Sequence, residues 1–367
     1  MSPDEILTPA AVVDLDRMES NLDRMARYAA DHGLALRPHI KTHKSPDLAA
    51  EQVRRGAIGV TVAQFREASL MQAATDNILL AHPPVGDPKL RRLVALPATA
   101  NMTVALDSPE ALAGVVATAR AHDLSFGVLV ELDVGMQRVG ISEVSTAVEL
   151  CRRAHDADGV DWRGVMFYPG HIRQHVSRQD EAIAAVDATL QRFLEALRQE
   201  GLEPGTVSAG STPAAWSSHR LRGVTEIRPG TYIFNDRTTA AIGACGWEDC
   251  AYTVLATVVS TAVAGQAVVD AGSKALFREE LRGSDEAGYG ALLDHPDVVV
   301  RGMSEEHGIL DLRGTSWRPR IGDRVHVVPN HVCVSVNLHE RVWGLRGGRI
   351  ERSWPVAARG WDNLPAT

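Results

Sequence analysis

The chain predicts a (β/α)8 TIM-type barrel followed by a mostly antiparallel β domain. Three observations lead there. Eight apolar, β-rich runs lie between residues 16 and 245, at 34–40, 58–63, 77–83, 102–107, 126–133, 164–168, 206–210 and 227–234. Amphipathic stretches such as 108–122 and 141–156 separate them and are long enough to serve as crossover helices. After Cys250 the texture changes to short β-rich runs at 252–261, 266–270, 298–300, 323–328 and 341–345, broken by Gly, Pro, Asp and Asn. Eight β-then-α units in this length match a barrel. A doubly wound sheet is the alternative, but no G-x-G-x-x-G follows the first strand and no Walker motif is present. The expected domains are a barrel over 15–245 and a β domain over 246–367. Residues 10–14 read as a strand within an N-terminal segment, 1–14, that joins the second domain.

Bulk properties narrow the function. At 367 residues the chain suits a barrel plus a second domain. Hydrophobic residues make up 45% and charged ones 23%, an ordinary globular composition. A formal net charge of −8 with no basic tract argues against nucleic acid. No apolar run approaches the roughly 20 residues needed to span a bilayer. The opening Met1-Ser2-Pro3-Asp4-Glu5 lacks the layout of a signal peptide. A cytoplasmic protein is expected, with Cys151, Cys245, Cys250 and Cys333 reduced and without C-x-x-C spacing.

The chemistry collects at the predicted strand ends. The first barrel strand runs into His39 and Lys41, within RPHIKTHK (37–44). Taken alone, that segment reads as a solvated basic loop. At the C-terminal face of a barrel, however, a lysine near other cations has a lowered pKa and can form a Schiff base. The fifth strand ends in ELDVGMQR (131–138), the sixth in YPGH (168–171), the seventh in SAGST (208–212). The eighth carries RPGTY (228–232). Loops after the last two strands are where barrels most often bind phosphate. Here they hold Gly210, Ser211, Thr212, Gly230 and Thr231, small residues and hydroxyls suited to phosphate oxygens, although each alone reads as a plain turn. A lysine for an aldehyde and a cradle for a phosphate together point to pyridoxal 5'-phosphate (PLP).

A second constellation, PNHVCVSVNLH (329–339), lies in the β domain. On a strand, His331 and Cys333 would point to one face. Imidazole and thiolate suit zinc or another transition metal, although two donors alone read first as a buried His and a buried Cys.

Eight segments occur in order: RPHIKTHK (37–44), ELDVGMQRVGI (131–141), FYPGH (167–171), SAGSTP (208–213), EIRPGTYIFND (226–236), VVDAGSKAL (268–276), EEHG (305–308) and PNHVC (329–333). Together they resemble the D-threonine aldolase / D-serine dehydratase family of alanine-racemase-like, fold type III PLP enzymes, over about 8–360. The resemblance implies an alanine-racemase-type barrel followed by a β domain, an active site between them and a homodimer. It makes Lys41 the Schiff-base lysine and sets His39, Arg138 and Tyr168 beside the cofactor. Ser211, Thr212, Gly230, Thr231 and Tyr232 match its phosphate-holding stretches, and His331 with Cys333 its metal pair. Several D-threonine aldolases carry aspartate where this chain has Cys333, whereas the dehydratases carry cysteine. The FYPGH loop also differs from a His-rich version in some aldolases, which leaves the role of His171 open.

The implied activity is a PLP- and divalent-metal-dependent lyase of D-β-hydroxy-α-amino acids. The metal is zinc or manganese, with magnesium as the outside alternative. Retro-aldol cleavage to glycine and an aldehyde is the leading expectation, with His171 or a metal-bound water as the base on the β-hydroxyl. Dehydration to a 2-oxo acid and ammonia, with Lys41 taking the α-proton, is the alternative. An amino-acid racemase would need a second acid/base, for which only Tyr252 and Tyr289 are at hand in the second domain. A non-catalytic PLP carrier would lack the β domain, and a metal-only binder would leave Lys41 unexplained.

Overall fold

A computed structural model describes residues 3–96, 100–283 and 287–361. Residues 1–2 and 362–367, the outer ends of the N-terminal segment and of the β domain it is expected to join, lie outside the described residues. The chain forms two compact units: one gathers the chain up to Arg24 with Arg173–Ser177 and Thr231–Arg359, the other Met25–Ile172 and Arg178–Gly230.

The second of these is built on parallel strands. After strand β1 (Ala10–Asp14) and helix α1 (Leu15–Asp31) come β2 (Ala35–Leu36), α2 (Pro46–Arg54), β3 (Val60–Val62), α3 (Phe65–Met71) and β4 (Asn77–Leu80). Then follow α4 (Asp87–Val94), β5 (Asn101–Leu106), α5 (Pro109–His122), β6 (Phe126–Leu132), α6 (Val144–Asp156) and β7 (Val160–Phe167). The last units are α7 (Asp180–Gln199), β8 (Thr206–Ala209) and β9 (Glu226–Ile227). The sheet order is β2-β9-β8-β7-β6-β5-β4-β3.

The ring closes through the continuation of β2. Ile58 N donates to Leu36 O at 2.9 Å, Thr61 N to Pro38 O at 2.8 Å, and His39 bridges Thr61 in parallel. Sequence reasoning expects a strand over 34–40 and another over 227–234, and the regular ladders are much shorter. Pro38 and Pro229 have no N–H to give, so each strand loses its regular pairing there. Alternation sorts the side chains. Ile78, Leu80, Val104, Val128, Val130, Val165 and Phe167 join the cluster packed with the helices, while Leu79, Ala105, Leu129 and Met166 form a separate buried cluster. Helix α5 shows why the crossovers form: Ser108 accepts from Ala111 N at 3.3 Å as N-cap, and Pro109 occupies the first turn.

The other unit contains a nine-stranded sheet. Its strands include β10 (Tyr252–Ser260), β11 (Gln266–Val269), β12 (Gly290–Leu292), β13 (Val300–Met303), β14 (Gly308–Asp311), β15 (Arg324–Pro329), β16 (Arg341–Arg346) and β17 (Arg349–Pro355). Its path is β13-β14-β11-β10-β1-β16-β17, with β15 on β10 and β12 on β15. Strand β1 lies within it, antiparallel to β10 and parallel to β16, and the other pairings are antiparallel.

Among the described residues, three short α-helices interrupt this unit: α8 (Arg237–Ala241), α9 (Ser273–Leu276) and α10 (Val332–Leu338). The last is a correction. The segment 332–338, VCVSVNL, alternates like a strand yet forms a helix. Asp236 accepts from Val332 N at 3.0 Å, and Ser335 Oγ donates to Ala275 O at 2.8 Å. Tertiary bonds therefore override a weak local β preference. No helix of the described residues is long and apolar enough to cross a membrane.

Candidate active site

The basic segment 37–44 is not a solvated loop. Arg37 Nε donates to Glu226 Oε2 at 2.7 Å and its Nη1 to Asn77 Oδ1 at 2.7 Å. His43 is buried between Gln52 Oε1, 3.2 Å from its Nε2, and Ser45 N, which donates to its Nδ1 at 3.1 Å. Burial lowers its pKa to about 4. Lys44 is buried against Glu67, 3.6 Å away. Only Lys41 in this stretch is exposed, within the 3-10 turn Ile40–Thr42. His39 precedes that turn, and its Nδ1 accepts from Lys41 N at 3.4 Å. Burial, then the charges of Lys41 and Arg228, hold the His39 imidazole well below its ordinary pKa, so it is neutral.

Lys41 Nζ stands 5.9 Å from the centroid of the Tyr168 ring, and the Arg138 guanidinium carbon 5.0 Å from it. The loop after β6 presents Arg138. Asp133 Oδ1 accepts from Gly135 N at 2.9 Å and Gln137 N at 3.0 Å, folding the loop back on itself. At Gly170 a Cβ would meet the Tyr168 ring at 2.0 Å, so a glycine is required for the ring to lie there. His171 packs on Gly135, where an added Cβ would lie 3.2 Å from its Nε2.

Beneath these groups lies a buried polar chain. Arg228 Nη1 donates to Ser208 Oγ at 2.5 Å and its Nη2 to Phe167 O at 2.9 Å, while Ser208 Oγ donates to Glu226 Oε1 at 2.5 Å. Glu226 thus joins Arg37 directly and Arg228 through Ser208, and each member is hydrogen-bonded, as buried ionic groups must be. Burial pushes the Glu131 carboxyl up, and the charges of Arg228 and Arg138 oppose it.

The loop after β8 carries the strongest sign of a ligand. Ser211 has φ +145°, a backbone region that side chains rarely adopt, and its Oγ is buried without a hydrogen-bond partner. Such an atom costs free energy unless something fills the demand. Thr212 is buried beside it, and its Oγ1 accepts from Gly230 N at 3.2 Å. A Cβ at Gly230 would lie 2.9 Å from His39 O, which ties this loop to the start of the lysine turn.

Thr231 and Tyr232 begin a 3-10 turn in the other unit. In that unit Thr231 Oγ1 lies 3.8 Å from Cys333 Sγ. His331 is the N-cap of α10 and Cys333 lies in its first turn, so the cap, not strand parity, brings the two together. Asn330 fixes the approach: its Nδ2 donates to Glu279 O and Gly288 O, both at 2.8 Å, and its carbonyl accepts from Thr238 Oγ1 at 2.7 Å. His331 Nδ1 lies 3.1 Å from Glu279 Oε2. Burial alone would lower the His331 pKa. Cys333, then the Glu279 and Asp236 carboxylates, outweigh that and raise it to about 11. Among the described residues no three His, Cys, Asp or Glu side chains converge on one point.

Sequence reasoning misses several of these groups. Glu279, Asp236 and Asn330 act through contacts far apart in the chain. The i, i+2 pair Glu226 and Arg228 was visible on its strand but gave no sign of its buried partners. His82, just past β4, also escapes notice. Burial and then the charges of Lys89 and Arg138 lower its pKa.

Residues 13–238 match the alanine racemase N-terminal domain, and 251–345 the serine dehydratase domain. The chain is 31% identical to a D-threonine aldolase of Arthrobacter sp, over 97% of this chain and 93% of that one. The chain belongs to the D-threonine aldolase / D-serine dehydratase family, PLP-dependent lyases built on the alanine racemase fold. It is also 36% identical to the D-threo-3-hydroxyaspartate dehydratase of Delftia sp. (strain HT23), over 89% of this chain and 91% of that one. The D-threonine aldolase structure from Filomicrobium marinum superposes with a TM-score of 0.89 at 33% identity, covering 98% of this chain and 97% of that one.

Proposed function

We propose that this protein is a PLP- and divalent-metal-dependent lyase of D-β-hydroxy-α-amino acids, of the D-threonine aldolase type. The observation that carries the reading is Lys41. It is the one exposed residue of a turn whose neighbours are locked in buried pairs, and it faces a tyrosine ring beside a loop with an unpartnered buried hydroxyl.

These residues fit PLP. Lys41 Nζ would hold its aldehyde carbon, with His39, Tyr168 and Arg138 against the ring. Ser211 Oγ supplies a donor that has no other partner, the Thr212 hydroxyl lies beside it, and the turn at Gly230, Thr231 and Tyr232 would supply the remaining phosphate contacts. His331 and Cys333 fit a divalent ion. Glu279 on Nδ1 orients the imidazole as a carboxylate does at many metal sites, and an ion would take Nε2 by displacing its proton. PLP supplies an electron sink for charge at Cα, and the divalent ion a Lewis acid for the β-hydroxyl.

The chain's own part is acid–base and positional. His171 takes the β-hydroxyl proton as the Cα–Cβ bond breaks and the aldehyde leaves, and Lys41 delivers a proton to Cα to complete glycine. His39, kept neutral, adds no charge beside Lys41. The buried Arg228–Ser208–Glu226–Arg37 chain fixes the floor on which Tyr168 rests.

One observation favours a second reading. Thiolate at Cys333 selects zinc more strongly than a carboxylate would, and the dehydratase of Delftia sp. has a cysteine variant solved in a metal-free form. In a dehydratase Lys41 would take the α-proton and the β-hydroxyl would leave, giving a 2-oxo acid and ammonia. Product identification separates the two. With D-threonine, glycine and acetaldehyde are expected, and 2-oxobutyrate with ammonia would replace the aldolase reading by the dehydratase one.

A further inference from the structure

The geometry points to Lys44 and Glu67 as a buried ion pair that positions Lys41, an inference that rests on Lys41 holding the aldehyde of PLP. Lys44 closes the lysine turn. Its backbone N donates to Ile40 O at 2.8 Å, as His43 N does at 3.0 Å, so both wrap the carbonyl that immediately precedes Lys41. To do this Lys44 adopts φ +51°, the left-handed region in which a Cβ crowds the backbone. A residue with a long side chain stays there only if its surroundings hold it.

The carboxylate that faces its ammonium is Glu67. The Lys44 ammonium lies 3.6 Å from Glu67 Oε1, with side-chain exposures of 9% and 1%. The other carboxylate oxygen, Oε2, accepts from Ala63 N at 2.7 Å, at the end of β3. One carboxylate thus ties the turn after β2 to the turn after β3, across the seam where the barrel closes. Burial pushes the Glu67 carboxyl up, and its backbone bond to Ala63 and the Lys44 charge oppose that.

A pair that served packing alone could be exchanged for uncharged side chains of similar volume without loss, and such exchanges often stabilise a protein. A positioning pair could not, because without the two charges nothing draws Lys44 toward the turn after β3. The test therefore compares the full chain with Lys44→Met, Glu67→Gln and the double variant Lys44→Met/Glu67→Gln, in which an amide oxygen remains to accept from Ala63 N. Three quantities are read: the melting temperature, the dissociation constant for PLP from its visible absorbance, and the rate at which the Lys41 adduct forms.

The single variants should bind PLP more weakly and form the adduct up to about 100-fold more slowly, the scale of a displacement near 1 Å. The double variant should recover the melting temperature but not the adduct rate. Single variants that match the wild type in PLP affinity and rate would overturn the inference while Lys41 stands. A double variant that regains both affinity and rate would also overturn it. A wild type that forms no adduct at Lys41 would overturn both this inference and the reading beneath it.

Discussion

Replacing Lys41 by alanine should lower turnover of a D-β-hydroxy amino acid by roughly 10³-fold or more, the scale of losing a covalent group. The fold should not suffer, because Lys41 is exposed and lies in a turn held by its neighbours. Surface substitutions of this kind shift stability by about 0.5 kcal/mol or less. Saturating PLP should not restore the variant. Lys274 makes a fitting control, since it is also exposed and its ammonium pairs with Glu306 at 2.7 Å. Lys274→Ala should keep full turnover. Parallel kcat measurements on the two variants check the contrast, and equal losses would remove Lys41 from the mechanism.

Removing the divalent ion should have the next largest effect. A Lewis acid on the reacting oxygen lowers the barrier by several kcal/mol, so chelation should reduce turnover by about 10²-fold or more. Added zinc or manganese should restore the wild type. His331→Ala and Cys333→Ala should lose the same activity and not regain it. Glu279 touches only the far nitrogen of the imidazole. Glu279→Gln should therefore weaken metal affinity about 10–100-fold and recover turnover as the metal concentration rises. Metal content and kcat after dialysis against a chelator decide the matter. Full activity in a metal-free wild type would end the assignment.

Much of the barrel was legible because its strands are apolar runs of the right length between helical periods, and because Ser108 and Pro109 mark a helix start without help from the rest of the fold. The clustering of Lys41, Tyr168 and Arg138 was legible for a related reason: strand ends in a barrel share a face whatever their order in the chain. Other features depended on distant partners. Strands β12, β14 and β17 are short or polar, and pairing with neighbours defines them more than their own composition. Helix α10 reads as a strand until Asp236, 96 positions earlier, accepts from Val332 N. Arg37 and Lys44 look like surface cations until Glu226 and Glu67 are found beside them. Charge in a sequence does not reveal whether its counter-charge is water or a buried carboxylate.

The measurement that tests the central claim most directly is product analysis with D-threonine and L-threonine in parallel, in the presence of PLP and a divalent metal. The account predicts glycine and acetaldehyde in equal amounts from the D isomer alone. Turnover of the L isomer at a similar rate, or no cleavage of D-threonine with PLP bound at Lys41, would contradict it.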